Sequence, residues 1–116
     1  MPYRLQIVVF LLSLVLLAGP QAARADAVDG DWCHKDGRSL SIDGPNMVTP
    51  GGQRHTGDYD RHVFRFTIPE GETGAGTHVL IVQWSEQEIR VWYGAKTPVL
   101  REGEPEFWRR CHLRTS

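Results

Sequence analysis

The sequence lacks most of the patterns that would point to a known chemistry. Its 116 residues contain only two cysteines and no C-x-x-C pair, which argues against a thiol redox centre. No G-x-S-x-G, H-E-x-x-H or H-x-H pattern occurs, and the glycines of residues 69–76 do not match a phosphate-binding loop. There is no internal repeat and no low-complexity segment. These absences leave the chain without a catalytic signature.

An excess of charge of one sign is also missing. Basic and acidic residues nearly balance, with a formal net charge of −1. The balance becomes slightly more acidic if the N-terminal segment, which carries two arginines, is removed. Nucleic acid is therefore not expected as a partner, because its binding requires a concentration of basic residues.

Residues 26–116 have no sustained 3.6-residue period, which excludes a helical bundle. Instead, apolar residues alternate in short segments, and turn residues recur every ~8–12 positions. Val79–Val82 is apolar throughout, which indicates a strand covered on both faces. Residues 53–61 are the most polar stretch and predict a hairpin arm or an exposed loop. We therefore predict an all-β fold, a small antiparallel barrel or sandwich of about seven to eight short strands.

The one long apolar run lies at the N-terminus and predicts export. Arg4 precedes the run Leu5–Ala18, and residues 23–25 form an Ala-Arg-Ala cleavage site. The run is shorter than the roughly 20 residues of a membrane-spanning helix, so a retained anchor is the less favoured alternative. We predict a signal-peptide helix over 1–25 and a single secreted β domain over 26–116, located in the periplasm or outside the cell. A second cleavage site lies two residues further along.

Cys33 and Cys111 flank nearly all of the predicted strands. In an oxidising compartment two distant cysteines most simply form one disulfide, and a small domain gains stability from such a link. A metal site that also uses His34 and His112 is the alternative. It is disfavoured because adjacent side chains on a strand point to opposite faces.

Four tryptophans form the main compositional excess. The strand pattern places Arg90 and Trp92 on one face of their strand, and Trp108 and Arg110 on one face of the last strand. If these faces are exposed, the four residues make an aromatic–basic surface suited to a carbohydrate or a protein. The alternative is packing, with arginine stems lying over the indole rings.

Histidines and carboxylates provide a second group of candidates. His55, Asp58 and His62 are the tightest cluster of metal-ligand or acid–base types, although a solvated hairpin end accounts for them as well. Glu104 and Glu106 lie in or near a turn, and we interpret them as surface charges rather than as a glycosidase pair. We predict no catalytic residues, no bound metal and no cofactor.

Three resemblances rest on short stretches of the chain. Gly30-Asp31-Trp32 resembles the G-x-W signature near the start of lipocalin-like barrels, and Arg109 is similar to the residue that packs on that tryptophan. This resemblance implies a barrel topology. The chain also resembles small exported proteobacterial proteins of unknown function, in which a Trp-Cys near the start pairs with a later cysteine. It is similar in size and pattern to secreted bacterial inhibitors of proteases or lysozyme.

These patterns favour a non-catalytic binding or interaction module of the cell envelope. Its partner would be an envelope or extracellular protein, or a carbohydrate, and it would meet the membrane only through its signal peptide. Three alternatives stay open. They are a small metal-dependent or hydrolytic enzyme that uses His55, Asp58 and His62, a secreted inhibitor-like protein, and a structural component of the envelope.

Overall fold

A computed structural model describes residues 27–113. This part of the chain is all-β, ends in a 3-10 turn at Cys111–Leu113, and has no helix long and apolar enough to span a membrane. The predicted signal peptide, residues 1–25, lies outside the described residues. The strands are β1 (Gly30–His34), β2 (Ser39–Asp43), β3 (Asn46–Val48), β4 (Arg54–Thr56), β5 (Asp58–Asp60), β6 (Val63–Thr67), β7 (His78–Ser85), β8 (Glu88–Gly94) and β9 (Glu106–Arg110).

All nine strands belong to one antiparallel sheet in the order β4-β3-β2-β1-β9-β8-β7-β6-β5. Because β4 and β5 are separated only by Gly57, one bent segment joins the two edges of the sheet, which curls into a nearly closed barrel. Gly57 N donates to Pro45 O at 2.9 Å, and a Cβ at this position would lie 2.5 Å from Arg65 O. Glycine therefore lets the bend pack closely against its neighbours.

The described strands number nine against a prediction of seven to eight, and two of them, β4 and β5, lie within residues 53–61. These two strands are three residues long and half-buried or exposed, so they lack the apolar alternation that identifies a strand in a sequence. The all-β barrel and its disulfide are confirmed.

Alternation along the strands fills the barrel with one set of side chains. The members of this core are Val28, Trp32, Leu40, Ile42, Met47, Phe64, Phe66, Val79, Ile81, Ile89, Val91 and Trp108. Leu80, Val82 and Trp92 form a second cluster on the outer face of β7 and β8. The β8–β9 loop reaches this cluster, where Gly103 O accepts a hydrogen bond from Trp92 Nε1 at 3.3 Å. β7 is thus covered on both faces, as its apolar run predicts.

Trp32 and Arg110 close one end of the barrel. Trp32 is fully buried, and the Arg110 guanidinium lies 4.1 Å from the centroid of its ring. The N–H groups of Arg110 donate to three main-chain carbonyls, those of Ala27, Asp29 and Glu86. The residue that packs on Trp32 is therefore Arg110, and the expectation of Arg109 is off by one. Arg109 is exposed, because alternate residues of β9 face outward.

The disulfide joins the two ends of the described chain beside this closed end. Cys33 lies in β1 opposite Arg109 of β9, and Cys111 follows directly after β9. The two Cα atoms are 4.9 Å apart. The bond therefore fastens the C-terminal strand to the N-terminal one in the middle of the sheet, where β9 lies between β1 and β8.

Candidate binding site

Three polar side chains meet at the opposite, open end of the barrel. Arg38 precedes β2, Tyr93 lies near the end of β8, and Glu106 begins β9. Each keeps the inward phase of its strand, since Arg38 alternates with Leu40, and Glu106 with Trp108. The strand geometry thus brings a cation, a phenol and a carboxylate together at the mouth of an otherwise apolar barrel.

Glu106 is the common acceptor of this group. Its Oε1 accepts hydrogen bonds from Tyr93 OH at 2.6 Å, Arg38 Nη1 at 3.1 Å and Trp108 Nε1 at 3.2 Å. Its Oε2 accepts from Arg38 Nη2 at 2.6 Å. Arg38 therefore binds the carboxylate with both terminal nitrogens, the geometry in which a guanidinium recognises a carboxylate most strongly.

These contacts move the proton affinities of the group. Partial burial alone would raise the pKa of Glu106, but the hydrogen bonds from Arg38, Tyr93 and Trp108 outweigh it and hold that pKa below its ordinary value. Burial and the hydrogen bond to Glu106 raise the pKa of Tyr93 well above that of a free phenol. At neutral pH the site therefore holds a carboxylate, a guanidinium and a neutral phenol.

The β1–β2 turn supports Arg38 from the other side. Asp36 Oδ2 accepts from Arg38 Nε at 2.8 Å, and Asp36 Oδ1 lies 2.9 Å from His34 Nδ1. The main-chain N–H of Arg38 also donates to Asp36, and this bond contributes most to lowering the pKa of Asp36 to about 2. The His34 ring packs at 5.3 Å from the Trp108 ring. The guanidinium is thus fixed between two carboxylates.

A cavity of about 640 Å³ opens above this group, and we call it the cup. Its floor consists of five core side chains that are each no more than 8% exposed: Leu40, Phe66, Val79, Val91 and Trp108. Because these residues close the barrel interior, the space lies between them and the loops at the mouth. The volume falls within the range of small-molecule sites. An apolar floor with a few polar groups is also typical of such sites.

The rim loop, residues 68–77 between β6 and β7, forms one side of the mouth. Glu72 ties it to the β3–β4 turn, because its carboxylate accepts from Thr49 Oγ1 at 2.5 Å and from Gly51 N at 2.9 Å. Gln53 Nε2 adds a hydrogen bond to Glu70 O at 3.0 Å. The side chains of Glu72 and Gln53 therefore tie the glycine-rich loop to the β3–β4 turn.

The aromatic and basic residues predicted for binding do not come together. Trp92 and Trp108 are 7% and 1% exposed and lie on opposite faces of the sheet. In the register of β8 and β9, Arg90 is opposite Phe107, so Arg90 and Trp92 face outward while Trp108 and Arg110 face the core. Because both indoles are buried, they do not form the exposed surface that the strand pattern suggested.

A different aromatic–basic group is exposed instead, and we call it the outer aromatic patch. The Arg90 guanidinium lies 3.8 Å from the ring centroid of Trp84 and 4.9 Å from that of Phe107. Trp84 is 52% exposed and Phe107 48%. Trp84 occupies the irregularity in the β7–β8 register between Gln83 and Ser85. A bulge re-aims a side chain in a way that strict alternation does not predict.

The structure does not join His55, Asp58 and His62 into a site. His55 is half-buried with its ring 6.0 Å from Phe66, whereas Asp58 and His62 are exposed. Over residues 27–113, no three His, Cys, Asp or Glu side chains are placed to hold a metal ion. His55 lies in β4, Asp58 in β5 and His62 between β5 and β6, so the three residues do not share one hairpin end either.

Arg38, Glu72 and Tyr93 belong to this site although the sequence patterns did not predict them, and the interpretation of Glu106 as a surface charge is wrong. Glu106 is instead half-buried with four hydrogen bonds. A signal was present, because Arg38, Tyr93 and Glu106 each occupy an inward position of an alternating strand. A charged residue in that phase indicates a polar group inside the barrel. Glu72 has no such signal, because it lies in a loop.

The fold and the cup define a small antiparallel β-barrel, closed by a disulfide and open at one end. Comparisons with protein-family models, with curated proteins and with solved structures found no match to this chain. The disulfide is consistent with a location outside the reducing cytoplasm.

Proposed function

We propose that this protein is a non-catalytic, exported binding module that takes up an apolar small molecule in the cup. The observation that carries the proposal is the apolar floor of Leu40, Phe66 and Trp108 beneath a mouth with converging polar groups. The resemblance of Gly30-Asp31-Trp32 to lipocalin-like barrels supports the same reading, because Arg110 stacks on Trp32 at the end opposite the cup. The signal-peptide pattern of residues 1–25 and the disulfide support export to the periplasm or beyond.

Binding is favoured over catalysis by the state of the polar groups. A general acid or base works best when its pKa lies near the operating pH. The pKa of Glu106 is instead lowered and that of Tyr93 raised, so both are moved away from neutrality. Both side chains also hydrogen-bond to one another and to Arg38, which suits a wall of a binding site.

Titration with the neutral fluorophore N-phenylnaphthylamine tests the proposal. We expect its emission to increase on saturable binding to the oxidised protein. Thr73 is an exposed residue that lines the cup, and Thr73→Trp should weaken binding by about tenfold or more by filling the mouth. Ala75→Trp is the matched control, because Ala75 is exposed in the same loop and does not line the cup. No saturable binding to the unmodified protein, or equal binding by both variants, would contradict the proposal.

The outer aromatic patch favours a second candidate function, binding of a carbohydrate or a protein. Two half-exposed rings in contact with one guanidinium present apolar surface beside a charged group. Screening on a glycan array should then give signals that Trp84→Ala removes and Tyr59→Ala retains, since Tyr59 is an exposed ring elsewhere on the barrel. An array without signals that depend on Trp84 removes the carbohydrate form of this candidate.

A further inference from the structure

The charge at the mouth of the cup restricts what the cup can bind. Among the described residues that line it, the charged ones are Arg38 and Glu72. Arg38 is in contact with two further carboxylates, those of Asp36 and Glu106. These four side chains together carry one positive and three negative charges, and of the four Arg38 and Glu72 line the cup itself.

Arg38 has its donors engaged within the protein. Nε donates to Asp36, both terminal nitrogens donate to Glu106, and Nη1 is also 3.1 Å from Tyr93 OH. A guanidinium that faces an apolar cavity is otherwise a natural partner for the carboxylate of an apolar acid. Here the protein's own Glu106 occupies that position.

A ligand carboxylate would therefore have to displace Glu106 from Arg38. Glu106 would then remain half-buried without its cation, and two carboxylates would lie close together. A hydroxyl or an ammonium group carries neither penalty, and it can donate to Glu72, the carboxylate that lines the cup. The arrangement therefore disfavours a carboxylate head group and accepts a hydroxyl or an ammonium group.

We propose that the cup selects apolar molecules whose head group is uncharged or positively charged, and that Glu106 is the residue that excludes carboxylates. This inference rests on the proposed function, because it assigns the ligand class of the same cup. Glu106 acts as an internal substitute for a ligand anion. Its neutralisation should convert the cup into one that accepts apolar acids.

The test compares dodecanol, dodecylamine and dodecanoate as competitors of N-phenylnaphthylamine at neutral pH. Dodecanol is kept below its solubility limit and the other two below their micelle-forming concentrations. For the unmodified protein we expect dodecanol and dodecylamine to bind about tenfold more tightly than dodecanoate, as one charge-assisted hydrogen bond predicts. This comparison needs no variant. Equal or tighter binding of dodecanoate would overturn the inference and leave the proposed function standing, whereas failure of the fluorophore and of all three competitors to bind overturns the proposed function itself.

Two variants then test the role of Glu106. In Glu106→Gln, which keeps the shape of the side chain, the affinity for dodecanoate relative to dodecanol should rise about tenfold. Glu104→Gln is the matched control, because it removes the same charge from an exposed position two residues away and should leave the ratio unchanged. Near-ultraviolet circular dichroism verifies the fold of each. An equal rise in both variants, or none in a folded Glu106→Gln, overturns the assignment to Glu106.

If Glu106→Gln does not fold, Tyr93→Phe replaces it. This variant keeps the charge of Glu106 and should retain the preference for dodecanol over dodecanoate. Loss of that preference would overturn the inference.

Discussion

The carboxylate of Glu106 is kept charged by the side chains around it. Three donors converge on it from two neighbouring strands and one turn, and their hydrogen bonds lower its pKa despite partial burial. Because a depressed pKa means that the folded state favours the ionised form, Glu106 links the stability of the barrel to pH. The linkage operates on the acidic side of neutrality.

Acid should therefore destabilise the protein partly through Glu106. Its contribution is fully present above the pKa of the unfolded chain, about 4.3. It is lost as the pH falls through the lower pKa of the folded state. We expect the urea midpoint of the unmodified protein to decrease more between pH 6 and about 3 than that of Glu106→Gln, with Glu104→Gln following the unmodified protein. Identical pH profiles of all three proteins would show that the network does not stabilise ionised Glu106.

Arg110 and Arg109 lie on opposite faces of β9 and have very different surroundings. The Arg110 guanidinium covers Trp32 and satisfies three main-chain carbonyls at the closed end, whereas Arg109 faces outward. Burial lowers the pKa of Arg110, as expected for a cation taken partly out of water. Neighbouring arginines in the sequence thus have unrelated energetic roles.

Replacing each of these two arginines by methionine separates their roles. Arg110→Met should lower the free energy of unfolding by about 2–4 kcal/mol, because buried carbonyls lose their donors and Trp32 loses its cation. Arg109→Met should change it by less than about 0.5 kcal/mol, as an exposed substitution does. Urea denaturation of the oxidised proteins measures both. Similar effects of the two substitutions would contradict the placement of Arg110 over Trp32.

At the scale of elements, the sequence predicts the strands whose apolar residues either alternate or form a continuous run. The core strands β2, β6 and β8 show the two-residue period, and β7 shows the continuous apolar run of a strand buried on both faces. β4 and β5 could not be identified, because pairing with β3 and β6 rather than burial makes them strands. The position of Trp84 depends on a register irregularity, and the contact of Glu72 with Thr49 depends on loop geometry. Neither the position of Trp84 nor the contact of Glu72 can be predicted from the residues next to them in the sequence.

The rim loop provides the prediction at this scale. Glu72→Ala removes the acceptor of the Thr49 hydroxyl and of the Gly51 amide, so the two loops at the mouth should separate more often. We expect exchange of the Gly51 amide hydrogen to accelerate by about tenfold or more, while amides of β7 and β8 keep their protection. Glu70→Ala is the control, because the contact of Glu70 with Gln53 uses its main-chain oxygen. Uniform acceleration across the barrel would indicate global destabilisation instead of local opening.

At the scale of the whole molecule, the strand order makes the two chain ends neighbours. β1 and β9 pair with each other in the middle of the sheet order, so the first and the last strand in sequence lie side by side. The register that follows places Cys111 directly beyond the pair formed by Trp32 and Arg110. Three contacts stabilise the closed end. They are the disulfide, the stack of Arg110 on Trp32, and the hydrogen bond that Val28 N donates to Arg61 O. The open end is left to loops and to the Arg38–Glu106 network, which is where a ligand would enter.

The disulfide should therefore stabilise the barrel as a whole while leaving the cup intact. Cys33 and Cys111 are separated by 78 residues, a loop for which restriction of the unfolded chain amounts to roughly 4–5 kcal/mol. We expect Cys33→Ala/Cys111→Ala to lower the free energy of unfolding by about 2–5 kcal/mol in urea. At a temperature where the variant is still folded, its affinity for N-phenylnaphthylamine should stay within about twofold of the oxidised protein, because the bond and the cup lie at opposite ends. A stability loss below about 1 kcal/mol would show that the β1–β9 pairing holds the ends together without the bond, and a large loss of affinity in a folded variant would show that the two ends of the barrel are coupled.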